Sequence, residues 1–514
     1  MSTRRQIVTQ LIGAPALIGL ARKTDRPIAG GFVFESQERG HRLRDKSAYL
    51  PPTTSRRSPV VIVGGGMAGL CAAWWLDKKG FHDFVLLEME PEIGGNSRCG
   101  QNEVSDYPWG AHYIPVPNAE SALVREILTE FGAWQDGQWN ERFLCHSPQE
   151  RLFIHGRWQE GLEPEIGATQ ADHADYRRFI ERIANFRATG AFTIPFALGE
   201  GKGGALVAEL DTITFAAWLD REGFRSNYLR WFCDYSTRDD YGAGISEISA
   251  LAGIHYFAAR EHEEKGPLTW PEGNGWLLRK LTAKLTNYLR PNETVRRISR
   301  QGSGWLVLAE KSAWQAETVI FSAPTYLAPY IVEDFAPLPG LSYSPWLVSN
   351  LTLDKPPDNP GDIAWDNVVY GSPTLGYISA THQSLRTRIE KTVWTHYWAL
   401  TGADPGRVRR ELLSTDWPTW KDRVVHDLSR PHPRIRECIE RIDVFRNGHA
   451  MSRPVVGLRQ SKDLRRLRQG LPGLYFAHSD LSGFSIFEEA QYWGVKAAER
   501  TLERAGVGSS KKRR

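Results

Sequence analysis

The apolar positions of this chain change period as they run from the N-terminal third onward. Val60-Val61-Ile62-Val63 is an unbroken apolar run, the pattern of a strand covered on both faces. It feeds directly into the turn Gly64-Gly65-Gly66-Met67-Ala68-Gly69. The spacing then predicts a helix from Leu70 to Lys79 and a second buried strand over Phe84-Val85-Leu86-Leu87, ending in Glu88. Helical spacing recurs from Ser121 to Phe131, from Ala171 to Phe186, and from Thr214 to Asp220, where Thr214 or Thr212 would serve as cap. Trp346 to Leu353 and Thr392 to Leu400 alternate or run apolar, as strands do. Near the end, Gly473 to Asp480 reads as a turn, a strand and an acidic strand end, and Glu488 to Ala498 as a helix. There are no internal repeats.

The strand, glycine turn, helix, second strand and acidic residue stand in the order of a dinucleotide site. Gly64 permits the tight turn, Gly66 lets the backbone approach a pyrophosphate, and Gly69 lets the helix lie close to the sheet. The N–H groups that open the helix, from Met67 and Ala68 onward, face the phosphates with the positive end of the helix dipole. Glu88 accepts hydrogen bonds from ribose hydroxyls and would repel a 2′-phosphate. Gly302-Ser303-Gly304 lacks a third glycine and a preceding apolar strand, so a second nucleotide site is not expected.

Pro91-Glu92-Ile93-Gly94-Gly95-Asn96-Ser97-Arg98 follows at once. With this paired glycine the chain resembles the flavin-containing amine oxidase superfamily, which includes monoamine and polyamine oxidases and, more distantly, phytoene desaturases. The resemblance implies FAD, lined by the backbone of Gly94 and Gly95. The family has Arg after the pair. Here Asn96 stands there and Arg98 lies two residues on, so either Arg98 takes over phosphate contact or backbone and Asn96 hold it alone. Ser479 and Asp480 match the family's acidic strand end near the ribityl–phosphate chain, with His478 in place of its glycine. Val295 matches the adenine contact, and Gly110-Ala111-His112-Tyr113 the loop beneath the flavin. Phe484 and Phe487 would wall the ring.

The resemblance implies an α/β fold, a Rossmann-like FAD-binding domain with an inserted α+β substrate domain. It divides the chain into a discontinuous FAD domain over 55–115, 270–330 and 445–505 and a substrate domain over 116–269 and 331–444. An export signal over 1–30, a linker or arm over 31–54 and a disordered basic tail over 506–514 complete it. Within the arm, Gly31 to Glu35 has the composition of a short strand.

Composition is ordinary for a globular protein, with 41% apolar and 24% charged residues. The net charge of +4 equals the charge of Lys511-Lys512-Arg513-Arg514, so no nucleic-acid groove is implied. Five scattered cysteines form no C-x-x-C and no zinc spacing. Cys71 suits packing in the first helix, Cys99 lies near the expected flavin, and few or no disulfides are expected. Arg4-Arg5 before the uncharged stretch Ile7 to Ala21 resembles a twin-arginine export signal, too short and interrupted to span a membrane. This implies a periplasmic location, the alternative being cytoplasmic.

The chemistry implied is hydride transfer from a carbon next to an amine nitrogen to the flavin, with oxygen or another acceptor reoxidising it, and the substrate a small amine or polyamine. His112 and His449 are the catalytic candidates. His449 stands where the family brings a cage or flavin-linkage residue, and the absence of Cys there excludes a thioether link at that spot. His396 sits mid-strand, in the pattern of a core histidine. The family's active-site lysine would fall at Val348 to Asn350, which has none, and Lys355 lies close to the turn. Asp234 and Arg238-Asp239-Asp240-Tyr241-Gly242 either recognise a cationic substrate or form an internal ion-pair cluster. A lipid or isoprenoid desaturase or isomerase, and a flavoprotein acting only in electron transfer, stay open as alternatives.

Overall fold

The computed structural model describes residues 26–34, 36–45, 51–260, 266–357, 363–384 and 389–507. Arg4, Arg5, the stretch Ile7 to Ala21, Glu35 and the tail Lys511 to Arg514 lie outside them. The fold is α/β. A five-stranded parallel sheet runs in the order Leu289–Arg290, Phe84–Leu87, Val60–Val63, Thr318–Phe321, Leu474–Phe476. Its three central strands are buried at every position, which is why Val60–Val63 and Phe84–Leu87 read as unbroken apolar runs. Helix Met67–Lys78 covers one face and is itself covered by helix Phe487–Arg504. Trp74, Leu70 and Leu76, all at 0% exposure, anchor that layer. On the other side, Val295–Gln301, Gly304–Ala309 and Ser312–Ala316 form an antiparallel meander, joined in parallel by Thr54–Arg57.

The second sheet is mixed and has eight strands. Its long centre is Tyr343–Leu353, antiparallel to Thr392–Ala399 on one side and to Ile439–Ser452 on the other. Tyr377–Ser379, Asp366–Val369, Glu150–Ile154 and Arg157–Glu160 extend it one way, and Ala29–Val33 closes the other edge. The expected boundary at 444/445 therefore falls inside a strand. A separate helical core lies above, with Phe179, Phe186, Phe215, Trp218 and Phe224 packed together. Four of its helices, Gln170–Ala188, Phe215–Arg221, Asn227–Tyr241 and Ala250–Ala258, start where a Ser or Thr hydroxyl accepts from a free N–H group. Thr169 and Asp172 make a capping box for Gln170–Ala188, and Thr214, rather than Thr212, caps Phe215–Arg221.

The arm carries more structure than its composition indicates. Beyond the strand Ala29–Val33 it forms the helix Gln37–Arg44. Only Leu43 of that helix is buried, so no apolar periodicity announces it. The five cysteines are free. No helix among the described residues is long and apolar enough to cross a membrane.

Candidate functional site

The dinucleotide cleft opens at the carboxyl ends of the parallel strands. Gly64 turns at φ +111°, and a Cβ there would lie 2.6 Å from the Ala323 nitrogen. At Gly69 a Cβ would stand 2.1 Å from the Gly64 carbonyl oxygen, so the helix rests directly on the turn. Gly66 is its N-cap, no side chain caps it, and the space beside Gly66 is open. The first N–H groups are thus presented to a ligand. Met67 and Ala68 are buried behind them. The Gly65 N–H donates to Glu88 Oε2 at 2.6 Å and the Glu90 N–H to Glu88 Oε1 at 2.8 Å. Burial pushes the Glu88 carboxyl up from its ordinary value, against these two hydrogen bonds.

Gly94 and Gly95 both take positive φ at the cleft. The two side chains after them are engaged by protein. Asn96 Nδ2 donates to the Ala450 carbonyl at 2.6 Å, and its Oδ1 accepts from Asn447 Nδ2 at 3.2 Å. The Arg98 guanidinium lies 4.3 Å from the Phe34 ring and 5.2 Å from that of Phe445. Arg98 Nε also donates to the Gly95 carbonyl at 3.1 Å. Val295 is buried where the meander begins.

At the far end Ser479 and Asp480 form a short 3-10 turn. His478 there has extended backbone at φ −156°, so its position makes no demand for glycine. Asp480 Oδ2 accepts from the Thr325 N–H at 3.1 Å, Thr325 Oγ1 at 2.7 Å and the Tyr343 hydroxyl at 2.7 Å. Its Oδ1 is buried without a hydrogen bond, 3.0 Å from His478 Nδ1. With the His478 ring neutral, that nitrogen accepts from the Asp480 N–H and leaves Oδ1 for a donor such as a ligand hydroxyl; with the ring protonated, the same nitrogen donates to Oδ1 instead. Burial opposes ionisation of Asp480, but the protonated His478 ring and the Tyr343 and Thr325 hydroxyls outweigh it and hold the carboxyl well below its ordinary range. An uncapped helix start, an acceptor-only Glu88 and this orphaned oxygen fit a dinucleotide with ribose and ribityl hydroxyls.

Beside the cleft lies a cavity of about 140 Å³. Its walls are aromatic, from Trp109, Tyr113, Trp346, Tyr397, Phe445 and Phe487, with Gly110, Ala111, His112 and Val348 between them. Asp239, Asp240, Arg260 and Glu488 also line it. His112 stacks on Tyr397 with centroids 4.6 Å apart, and burial lowers it to about 4, so it is neutral at physiological pH. His449 stacks on Tyr326 at 4.4 Å, beside Tyr343. Burial and the neighbouring Arg409 lower it to about 4. It does not line the cavity. His396 is fully buried against Asp427, and Phe484 stacks on His255 in the helical core at 4.4 Å.

The acidic run of the sequence divides in two. Asp234 pairs with Arg238 at 2.9 Å, an internal ion pair. Asp240 pairs with Arg260 at 2.5 Å and accepts from the Tyr113 hydroxyl at 3.2 Å. Asp239 faces the cavity, and burial with Asp240 beside it pushes its carboxyl up to about 7. Glu488, at 3% exposure, is pushed up to about 7 by burial. Sequence reasoning placed Glu488 on its helix but gave it no role, and it missed Arg260. The pair Glu488-Glu489 opening a helix whose first three residues are buried was the available signal. Where the family's lysine would stand, Val348 faces the cavity, and Asn350 bonds the Pro108 carbonyl and Thr395.

Fold and cleft together define the class: a Rossmann-like dinucleotide-binding protein with an additional mixed-sheet domain. A family model described as NAD(P)-binding Rossmann-like domain matches residues 62–131. The particular likeness is to flavin-containing amine oxidases. The chain is 26% identical over 280 residues to the putative flavin-containing monoamine oxidase AofH of Mycobacterium tuberculosis (strain ATCC 25618 / H37Rv), a match covering 52% of this chain and 56% of that protein. It is 40% identical over 80 residues, 15% of each chain, to the L-amino acid oxidase of Cerastes cerastes. The longer of these matches thus spans about half the relative's length. The structure of wild-type putrescine oxidase bound to putrescine aligns with a TM-score of 0.68 at 16% identity, covering 88% of this chain and 100% of that one. At that identity the likeness is one of fold.

Proposed function

We propose that this chain is an FAD-dependent oxidoreductase of the amine oxidase type, acting on a small amine that carries a second positive charge. The observation that carries the reading is the continuity of two sites. Asn96, which directly follows the paired glycines of the dinucleotide cleft, lines the aromatic, acid-bearing cavity, and its carbonyl accepts from the Ala111 N–H of the loop that walls that cavity. FAD, when bound, supplies a two-electron acceptor for a hydride from the carbon next to nitrogen and passes the electrons to oxygen or another acceptor. Gly64, Gly66, Gly69, Glu88, Gly94, Gly95, Val295 and Asp480 would hold it.

The chain's own contribution is positioning and exclusion of water. Trp109, Tyr397, Trp346 and Phe487 form a weakly polar box in which an uncharged amine nitrogen is favoured over an ammonium. Asp239 and Glu488 give a distal ammonium its counter-charge. These carboxyls, with Asp240 and Arg260, make the cavity a poor tunnel for a lipid or isoprenoid. From the sequence alone we also propose twin-arginine export directed by Arg4-Arg5.

The purified protein should be yellow, and its absorbance near 450 nm, about where oxidised flavins absorb, should bleach anaerobically with linear diamines. Bleaching by a polyene and by no amine would overturn the substrate class. Failure to bind flavin at all would overturn the cofactor.

A further inference from the structure

We propose that the arm, through its strand Ala29–Val33 and helix Gln37–Arg44, is a strap that closes the dinucleotide cleft and retains the cofactor. The inference rests on the FAD reading above. The strap touches the cleft's rim at separate segments of the chain. Its strand is tied to the substrate sheet by the parallel ladder from Ala29↔Arg441 to Val33↔Phe445. Phe34 then packs edge-on to Trp109 at 5.5 Å and to Phe445 at 5.4 Å, and receives the Arg98 guanidinium on its face. Arg98 ends the paired-glycine segment. Ser36 Oγ donates to Glu90, next but one to the ribose-side Glu88. Arg39 Nη2 donates to Thr294 Oγ1 at 3.3 Å, beside Val295, and lies 3.5 Å from Glu310. Leu43, at 5% exposure, belongs to the same apolar cluster as Val63, Leu87 and Val295.

The strap therefore joins the sheet of one domain to the adenosine side of the other. A ligand bound beneath it and the closed strap must stabilise each other, because each binds the state the other favours. The tether has one weak point. Gly30 runs at φ +132°, and a Cβ there would lie 1.8 Å from the Ile442 carbonyl oxygen. A side chain at that position lifts the strand from the sheet.

Limited trypsin digestion of the full chain, with and without FAD, tests this through cleavage after Arg39, Arg42 and Arg44. Bound FAD should slow cleavage at these sites roughly tenfold, the effect of about 1.4 kcal/mol of coupling. Equal cleavage in the two forms overturns the proposal. Gly30→Val, and separately the milder double substitution Ser36→Ala with Arg39→Ala, should speed both strap cleavage and FAD release, followed by flavin fluorescence. Faster cleavage with unchanged FAD release in either variant overturns it as well. A wild-type chain that takes up no FAD would defeat the cofactor assignment, an outcome distinct from these.

Discussion

Replacing Asp239 by Asn should weaken turnover of diamines and stabilise the fold at the same time. Asp239 is held near 7 by burial first and Asp240 second, with Glu150 adding to the rise and Arg260 and Arg238 opposing it. Asp366 also interacts with it. A cationic group binds the ionised form. Each pH unit below 7 therefore costs about 1.4 kcal/mol to ionise it, or roughly tenfold in kcat/KM. Above pH 8 that cost vanishes. Loss of a charge-assisted hydrogen bond in the Asn variant then removes about 1.5–3 kcal/mol, roughly ten- to 150-fold. The stability effect has the opposite sign. With the folded value above the unfolded one of 3.8, the native state binds more protons than the unfolded state between about pH 4 and 7. Stability falls across that window, by at most about 4 kcal/mol. Asp239→Asn should recover part of this at pH 8 and nothing at pH 4. The assay is anaerobic flavin reduction by a linear diamine and by the monoamine of equal length at pH 6, 7 and 8, alongside thermal unfolding at pH 4 and 8. An unchanged diamine-to-monoamine ratio with an unchanged unfolding temperature at pH 8 would refute the reasoning.

Other substitutions probe the rest of the site. Asp480→Asn removes the charge that three donors address and should cost about 1.5–3 kcal/mol of stability at pH 7 together with flavin retention. Because its folded value is depressed, the native Asp480 contributes fully above its unfolded value, and the gap between variant and wild type should begin to narrow only below about pH 4 and close as the pH falls toward the depressed folded value, as acid unfolding curves will show. His112 and His449 are both held near 4, so single Gln variants should change rates but leave the shape of the pH profile between about pH 5.5 and 8 intact, and a lost limb near 6.5 would contradict this. Replacing Arg4-Arg5 by Lys-Lys should trap the protein in the cytoplasm of a bacterial host that has twin-arginine export, checked by fractionation.

The cofactor cleft was legible because its determinants are local. Val60 to Glu88 specifies a strand, a turn that only glycine fits, a helix start and an acceptor within one supersecondary unit, and each step has its own residue type. The helix caps at Thr169 and Thr214 are local in the same way. The strap was legible only in its strand, which the composition of Gly31 to Glu35 indicated and which lies at Ala29–Val33; its pairing and its helix were not. Its strand gains a ladder only from residues some four hundred positions away, and its helix buries one side chain.

The cavity lies between these cases. Asp239 and Asp240 stood out as an acidic run, but nothing in the run separated them from Asp234, which pairs locally with Arg238 four residues on. Arg260, just past the end of the helix Ala250–Ala258, and Glu488, at the start of Phe487–Arg504, reach the same space from distant parts of the chain. The sequence by itself determined the dinucleotide-binding unit, since steric and hydrogen-bond demands there are met within a few tens of residues. The tertiary structure alone decided which carboxyls face the cavity, that Arg98 is held between Phe34 and Phe445, and that the arm crosses the cleft. Those outcomes depend on which distant surfaces exclude water from a side chain, and that exclusion exists only once the domains have packed.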